Sequence, residues 1–330
     1  MKGKKTLILE RKAIEKLAGI KEAIGAVERA FRYFGEGKVQ MPPKMYITVD
    51  KHLGDFRAMP AYVEHTGGCG IKWVNVHPEN RKKSLPTVMA LIILSDPKTG
   101  FPLCVMDATY VTALRTGAAG GVAAKYLARK NSKKAALIGC GTQALTQLAA
   151  LNEIFRLTEV NIWGCRKGET KSFIRKAGRS MPVKMQAVKS LRDCVEGCDI
   201  VFTTTPSVRP IVKSEWIAKG THINAIGADA KGKEELDPAI LKKAKVVVDD
   251  WRQASHSGEI NVPLRKGTFS KRNIYADIGQ IVAGKKRGRT KADEITVFDS
   301  TGLAIQDVSL ADVIYRKAVR TGKGKYVSFI

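Results

Sequence analysis

The sequence predicts a two-domain α/β protein, in which a parallel sheet flanked by helices is inserted into a mixed α+β domain. Three observations predict it. From Thr109 onward, apolar strand-like runs alternate with helical segments, the spacing of a parallel sheet covered on both faces. Before Thr109, strand-like runs follow one another across short polar turns, as antiparallel strands do. The 330 residues, 44% of them hydrophobic, suffice for about two cores that need no staples.

The elements follow in order. Ile14, Leu17, Ile20, Ile24, Val27 and Phe31 recur at three- and four-residue spacing and predict a helix from Lys12 to Phe34. Strands are expected over Lys44–Val49, Gly70–Val76, Thr87–Ser95 and Pro102–Met106. The turn-forming Asp96-Pro97-Lys98-Thr99-Gly100 makes the last two an antiparallel hairpin. A small-residue helix, TALRTGAAGGVAAKYLA, leads into strand Lys134–Ile138, helix Leu145–Phe155 and strand Glu159–Trp163. Helices Glu169–Ala177 and Leu191–Glu196 come next, with strands Asp199–Thr204, His222–Ile226, Val246–Asp250 and Ile295–Asp299. A last helix, Ile305 to about Ala318, is expected to return to the first domain. The expected boundaries are 1–112 plus 306–330 for the outer domain and 113–305 for the insert.

Charge narrows the partners. The chain has 57 Lys and Arg against 31 Asp and Glu, a formal net charge of +26. Nucleic acid, anionic membrane and small anions are the classes this raises. The apolar share excludes a disordered basic tail. The longest aliphatic run, Val88–Leu94, is far short of the roughly 20 residues of a membrane span. The opening MKGKKTLILERKAIEKL lacks the apolar core and cleavage site of a signal peptide. The sequence shows neither a nucleic-acid module nor aromatics interleaved with cations. Leu264–Lys291, with nine basic residues and Asp277, reads as a solvated face, as do Arg316, Lys317, Arg320, Lys323 and Lys325. Six scattered cysteines without a CxxC predict reduced thiols and a cytoplasmic protein. Cys194 and Cys198 stand one turn apart, but no HxxxH supplies further ligands and no metal is expected. His65 and His77 lack partners at catalytic spacing and read as structural.

The chemistry begins at AALIGCGTQA. Gly139-x-Gly141-x-x-Ala144 stands directly after an apolar strand and directly before a helix. The first glycine permits the turn, the second lets backbone approach a pyrophosphate, and the small third residue lets helix pack on strand. A phosphate would sit at the helix N-terminus, so the insert is expected to be a Rossmann-type dinucleotide domain. The acid that NAD enzymes place about 20 residues on is missing. The next strand ends in Gly164-Cys165-Arg166-Lys167 instead. Two cations there suit a ribose 2′-phosphate, so the expected cofactor is NAD(P), leaning to NADP. The plainer alternative is that Arg166 and Lys167 are solvated loop charges and either cofactor binds.

Six strings carry a resemblance: Arg57-Ala58-Met59-Pro60, IKWVNVHPEN (Ile71–Asn80), LRTGAA (Leu114–Ala119), GCGTQA, HINAIGADAKGKEELD (His222–Asp237) and ITVFDSTGLAIQD (Ile295–Asp307). In this order, over nearly the whole chain, they resemble the ornithine cyclodeaminase/mu-crystallin family. The resemblance implies a homodimer formed through the outer domain, which also binds substrate. It implies cofactor contacts from Arg115, Thr116, Gly139, Gly141, Thr142, Gln143, Gly164, Cys165, Arg166, Lys167, Ile226, Gly227, Asp229 and Ser300. In the family's enzymes the lysine matching Lys72 works at the substrate α-carbon, and the arginine matching Arg115 helps hold the substrate carboxylate. The aspartate matching Asp229 transfers protons, and mu-crystallin-like ketimine reductases lack it. Arg57 ahead of Lys72 matches the archaeal alanine dehydrogenase pattern, where that arginine binds substrate. Cyclodeaminases place a carboxylate-binding arginine further upstream, about where this chain has Pro43-Lys44.

The resemblance therefore implies NAD(P)-dependent oxidative deamination of L-alanine to pyruvate and ammonium. Its alternatives are ornithine cyclodeamination to L-proline with recycled NAD, and a non-catalytic NADPH-binding protein. Either reaction removes a hydride from an α-carbon, which needs a neutral amine and a fixed carboxylate. Arginines clamp the carboxylate, and a lysine beside two arginines is expected to titrate near neutrality. Plainer readings stay open beside these. Lys72 could be a surface lysine, Arg57 the partner of Asp55, and Asp229 a turn-former.

Overall fold

Side chains alternate along Gly68–Val76 and Val88–Ser95, and every second one is drawn to the covered face of a sheet. The computed structural model describes residues 4–329 and divides into two units. One runs up to Arg115 and resumes at Leu303; the other is Thr116–Gly302. The first division falls inside helix Thr109–Leu127.

The first unit is a mixed sheet. Its spatial order is Lys325–Val327, Thr6–Leu9, Pro102–Asp107, Val88–Ser95, Gly68–Val76, Gly54–Val63 and Val39–Gln40, with Met45–Val49 also paired to Gly54–Val63. Val88–Ser95 and Pro102–Asp107 form the expected antiparallel hairpin. Helix Ala304–Arg320 packs across Gly54–Val63, Gly68–Val76 and Val88–Ser95, and against helix Ile20–Gly35.

Two readings need correction. The stretch 12–34 is two helices, Arg11–Leu17 and Ile20–Gly35, because Gly19 is extended and caps the second. Its N–H donates to Glu22 Oε2 at 3.0 Å, so the N3 glutamate reaches back to satisfy the cap backbone where the helix restarts. Gly54–Val63, ten residues long, pairs on both sides, yet Gly54, Asp55 and Pro60 dilute its strand signal.

The second unit is an eight-stranded parallel sheet. The order is Lys184–Ala187, Glu159–Trp163, Lys134–Ile138, Ile200–Thr203, His222–Ala225, Thr296–Asp299, Lys245–Val248 and Ile274–Asp277. Chain order reverses between Lys134–Ile138 and Ile200–Thr203, the switch point where such sheets bind ligands at their carboxyl ends. Ala136, Ile138, Val201 and Ile223 face one core, and Ala135, Leu137, Ile200 and Phe202 the other. Burial on both faces explains the continuous apolar runs. Leu264–Lys291 is not simply a solvated face. Its cations alternate with buried Phe269, Ala276, Ile278, Ile281 and Val282, and it supplies the edge strand Ile274–Asp277. No helix among the described residues is long and apolar enough to cross a membrane.

Candidate active site

The nucleotide loop is built as its glycines require. Gly139 has φ +108°, and a Cβ there would stand 2.6 Å from Thr204 Oγ1. Its N–H donates to Trp163 O at 2.9 Å, which ties the loop to the next strand. Gly141 is extended and caps the 13-residue helix Thr142–Ile154, and a Cβ there would meet nothing within 4 Å. The first-turn amides thus face an open cradle, with Thr142 exposed and Gln143 half-buried at its rim. Ala144 is fully buried under the helix. These features fit a dinucleotide pyrophosphate.

The other expected cofactor residues are distributed as follows. A Cβ on Gly164 would meet Glu169 Oε1 at 2.4 Å and Cys140 Sγ at 2.8 Å. Cys165, Arg166 and Lys167 are exposed. Glu169 folds back to the strand tip: its Oε1 accepts from the Arg166 N–H at 3.0 Å, and its Oε2 lies 3.5 Å from Arg166 Nε. The buried Thr116 carbonyl accepts from Gln147 Nε2 at 2.9 Å. Past strand His222–Ala225, Ile226 is buried, the Gly227 N–H donates to Glu235 Oε2 at 2.9 Å, and Asp229 Oδ1 lies 2.5 Å from Lys233 Nζ. Ser300, buried at the end of Thr296–Asp299, donates its N–H to Ala225 O at 3.1 Å.

The candidate substrate residues meet in the first unit. The register Arg57↔Val74 and Met59↔Lys72 puts Arg57 and Lys72 on the same sheet face, the one helix Ala304–Arg320 covers. Arg57 is buried; its Nε and Nη2 donate to Asp55 Oδ1 and Oδ2 at 2.7 and 3.0 Å. Its guanidinium lies 5.2 Å over the Tyr46 ring. The Asp55 pairing is therefore real, but it lies in a strand and not at a loop surface.

Lys72 is 0% exposed, the one buried lysine among the described residues, so the surface reading fails. Its Nζ lies 2.7 Å from Asp307 Oδ2. Asp307 Oδ1 accepts from Arg115 Nε at 3.0 Å, and Arg115 Nη1 donates to Gln306 Oε1 at 2.9 Å. Burial pulls the Lys72 pKa from 10.5 down to about 7, with Arg115 and then Lys44 adding to it and Asp307 opposing. Burial leads, and the second cation is Lys44 instead of Arg57.

Asp307 is the residue sequence reasoning missed. It closes the string ITVFDSTGLAIQD, and its only local signal is a Gln-Asp pair in the first turn of the last long helix. The two histidines take structural places: the His65 ring lies tilted against Tyr33 with centroids 4.7 Å apart, and His77 Nδ1 meets Asn75 Nδ2 at 3.0 Å. Cys194 and Cys198 are buried free thiols, pushed up by burial, Cys198 to about 12.

Comparison with known proteins agrees with this geometry. Residues 4–322 match the model of the ornithine cyclodeaminase/mu-crystallin family. An alanine dehydrogenase of Archaeoglobus fulgidus is 54% identical over 98% of both chains. A solved archaeal alanine dehydrogenase dimer with bound NAD superposes with a TM-score of 0.95 at 52% identity, covering 99% of this chain and 100% of that one. The Thermococcus litoralis Δ1-pyrroline-2-carboxylate reductase, solved with NADH and L-proline, has the same TM-score at 42% identity over 98% of this chain and 100% of its own. With its nucleotide loop, its buried lysine and these matches together, the chain belongs to the ornithine cyclodeaminase/mu-crystallin family.

Proposed function

We propose that the protein is an NAD(P)-dependent alanine dehydrogenase, converting L-alanine and water to pyruvate and ammonium. The observation that carries this reading is Lys72, fully buried, titrating near neutrality and sharing a face with Arg57, in a chain 54% identical to an alanine dehydrogenase. A dinucleotide held at Gly139, Gly141 and the first turn of helix Thr142–Ile154 would supply the hydride acceptor for the substrate α-carbon. The chain's own residues do the rest. Arg57 and Arg115 hold the carboxylate in the reacting geometry. Lys72, with a pKa of about 7, accepts a proton as water adds to the imine and returns it as ammonia leaves. Asp229 is the second proton-transfer group in this reading, paired at rest with Lys233.

For the cofactor, Arg166 and Lys167 are proposed to receive a 2′-phosphate, with an NADP preference. Arg166 is held by Glu169, so releasing it costs little: an exposed pair of this kind is worth about 0–1 kcal/mol. Arg166→Asp is expected to shift the ratio of kcat/KM values toward NAD at least about tenfold; an unmoved ratio refutes the 2′-phosphate role.

The first unit is also proposed to carry the homodimer contact. Met45, Trp73 and Leu91 form a cross-strand row through Ala58 on the face opposite Lys72, with Ile47, Phe56 and Ile93 beside it. Met45, Ile47, Trp73, Leu91 and Ile93 are all exposed large hydrophobics. Contiguous apolar surface of this kind marks an interface. Six free thiols support a reducing, cytoplasmic setting.

A second reading, reduction of a cyclic imine to L-proline, is favoured by the 42% identity to the reductase solved with NADH and L-proline. Against ornithine cyclodeamination stands Lys44, a point charge without the bidentate fork of an arginine. Steady-state assays with L-alanine, L-proline and L-ornithine separate the three. L-alanine is expected to reduce the cofactor fastest. Preferential oxidation of L-proline supports the imine reductase, and proline formed from L-ornithine without net reduction supports the cyclodeaminase.

A further inference from the structure

We propose that Asp307 is a positioning residue of the deamination reaction, whose single carboxylate fixes the Lys72 amine and the Arg115 guanidinium together and keeps Lys72 able to hold a proton. The inference rests on the alanine dehydrogenase reading above.

Four elements bring charge to Lys72. Arg115 comes from helix Thr109–Leu127, Asp307 from helix Ala304–Arg320, and Lys44 from the segment ahead of Met45–Val49; on the neighbouring strand Arg57 stands with its own partner, Asp55. Burial, Arg115 and Lys44 all push toward the neutral amine, and Asp307 is the anion in contact with it. A proton-transfer lysine has to take up a proton and give it back within one turnover. Without an anion against it, a buried amine between two cations would lose the first of these abilities. Asp307 supplies the anion from the first turn of its helix, where negative charge is favoured.

The contact geometry suits this task. Asp307 Oδ2 is 2.7 Å from Lys72 Nζ, a fully buried ion pair in which the protonated amine donates to the carboxylate. The carboxylate thus supports the charge from one side of the amine. Its other oxygen accepts from Arg115 Nε at 3.0 Å, and Gln306 Oε1 accepts from Nη1 at 2.9 Å, so two consecutive residues orient the guanidinium. One side chain therefore links the carboxylate clamp to the proton-transfer group.

The test is a titration of Lys72 Nζ by NMR in lysine-labelled protein, assigned with Lys72→Met and accompanied by L-alanine kinetics. Asp307→Asn removes the charge at nearly constant size. It is expected to lower the Lys72 midpoint by at least about one pH unit and to raise KM for L-alanine about tenfold. Asp307→Glu, which keeps the charge, is expected to restore most of the midpoint while KM stays raised, an outcome loss of packing would not produce. A midpoint in Asp307→Asn unchanged from wild type overturns the proposal, whatever happens to KM. Should Asp307→Asn not fold, Asp307→Glu decides: a wild-type KM overturns it. The titration needs no turnover, so a shifted midpoint in a protein inactive on L-alanine sinks the reaction, whereas L-alanine turnover with an unshifted midpoint sinks the role of Asp307.

Discussion

Lys72 shows how a residue acquires a function its type does not announce. An ordinary lysine is protonated at neutral pH, and this one is poised because burial and Arg115 outweigh Asp307. In the proposed mechanism the neutral form is the base, so kcat/KM for L-alanine should change slope near pH 7, apart from the substrate ammonium's own limb at higher pH. A profile without that break would separate Lys72 from proton transfer. Stability carries the same signature with a definite sign. The folded pKa of about 7 lies below the unfolded 10.5, so between those values the unfolded chain binds more protons and stability falls as pH falls. The loss is complete below about pH 7 and amounts to on the order of 5 kcal/mol. Lys72→Met removes the titrating group, so denaturant unfolding from pH 10 to pH 7 should show a flatter decline than wild type. Equal slopes would contradict the depressed pKa. Lys72→Ala should lower kcat at least about a thousandfold while cofactor affinity stays within about twofold. Binding measured by nicotinamide fluorescence checks the second half.

At the scale of elements, the glycine loop makes the sharpest prediction. Gly139→Ala forces a Cβ at φ +108° to 2.6 Å from Thr204 Oγ1. Cofactor affinity should fall at least about tenfold, with a cost on the order of 1–3 kcal/mol in stability, read by titration calorimetry and thermal unfolding. Unchanged affinity would mean that the loop does not hold the pyrophosphate. This loop was legible because its motif is local: strand, turn and helix are contiguous, and Glu159–Trp163 and Glu169–Ala177 fall where the apolar pattern puts them. Gly54–Val63 was not legible, since Gly54, Asp55 and Pro60 break its strand signal and its pairing partners lie on other segments. Asp307 was hidden for a similar reason. Its partner Arg115 lies 192 residues away, and nothing in an Ile-Gln-Asp string tells a buried ion pair from a solvated turn. Glu169 lies past the turn in sequence, yet the loop folds its carboxylate back to the Arg166 N–H.

For the whole molecule, the two faces of the mixed sheet divide the work. One is covered by helix Ala304–Arg320 and holds Lys72; the other presents Met45, Trp73 and Leu91 to solvent. If the proposed homodimer forms through this face, Leu91→Asp should convert it to monomers, as light scattering would show, whereas a dimer that survives places the contact elsewhere. The net charge of +26 takes a modest place beside this. In the proposed reading a few cations face a carboxylate or a phosphate, and an excess of this sign would draw an anionic cofactor inward. The most direct test of the reaction itself follows the hydrogen. With L-alanine deuterated at the α-carbon, mass spectrometry of the products should find the deuterium on the reduced nicotinamide, equimolar with pyruvate, and none with Lys72→Ala. Reduced cofactor without deuterium, or no transfer with either NAD or NADP, would contradict it.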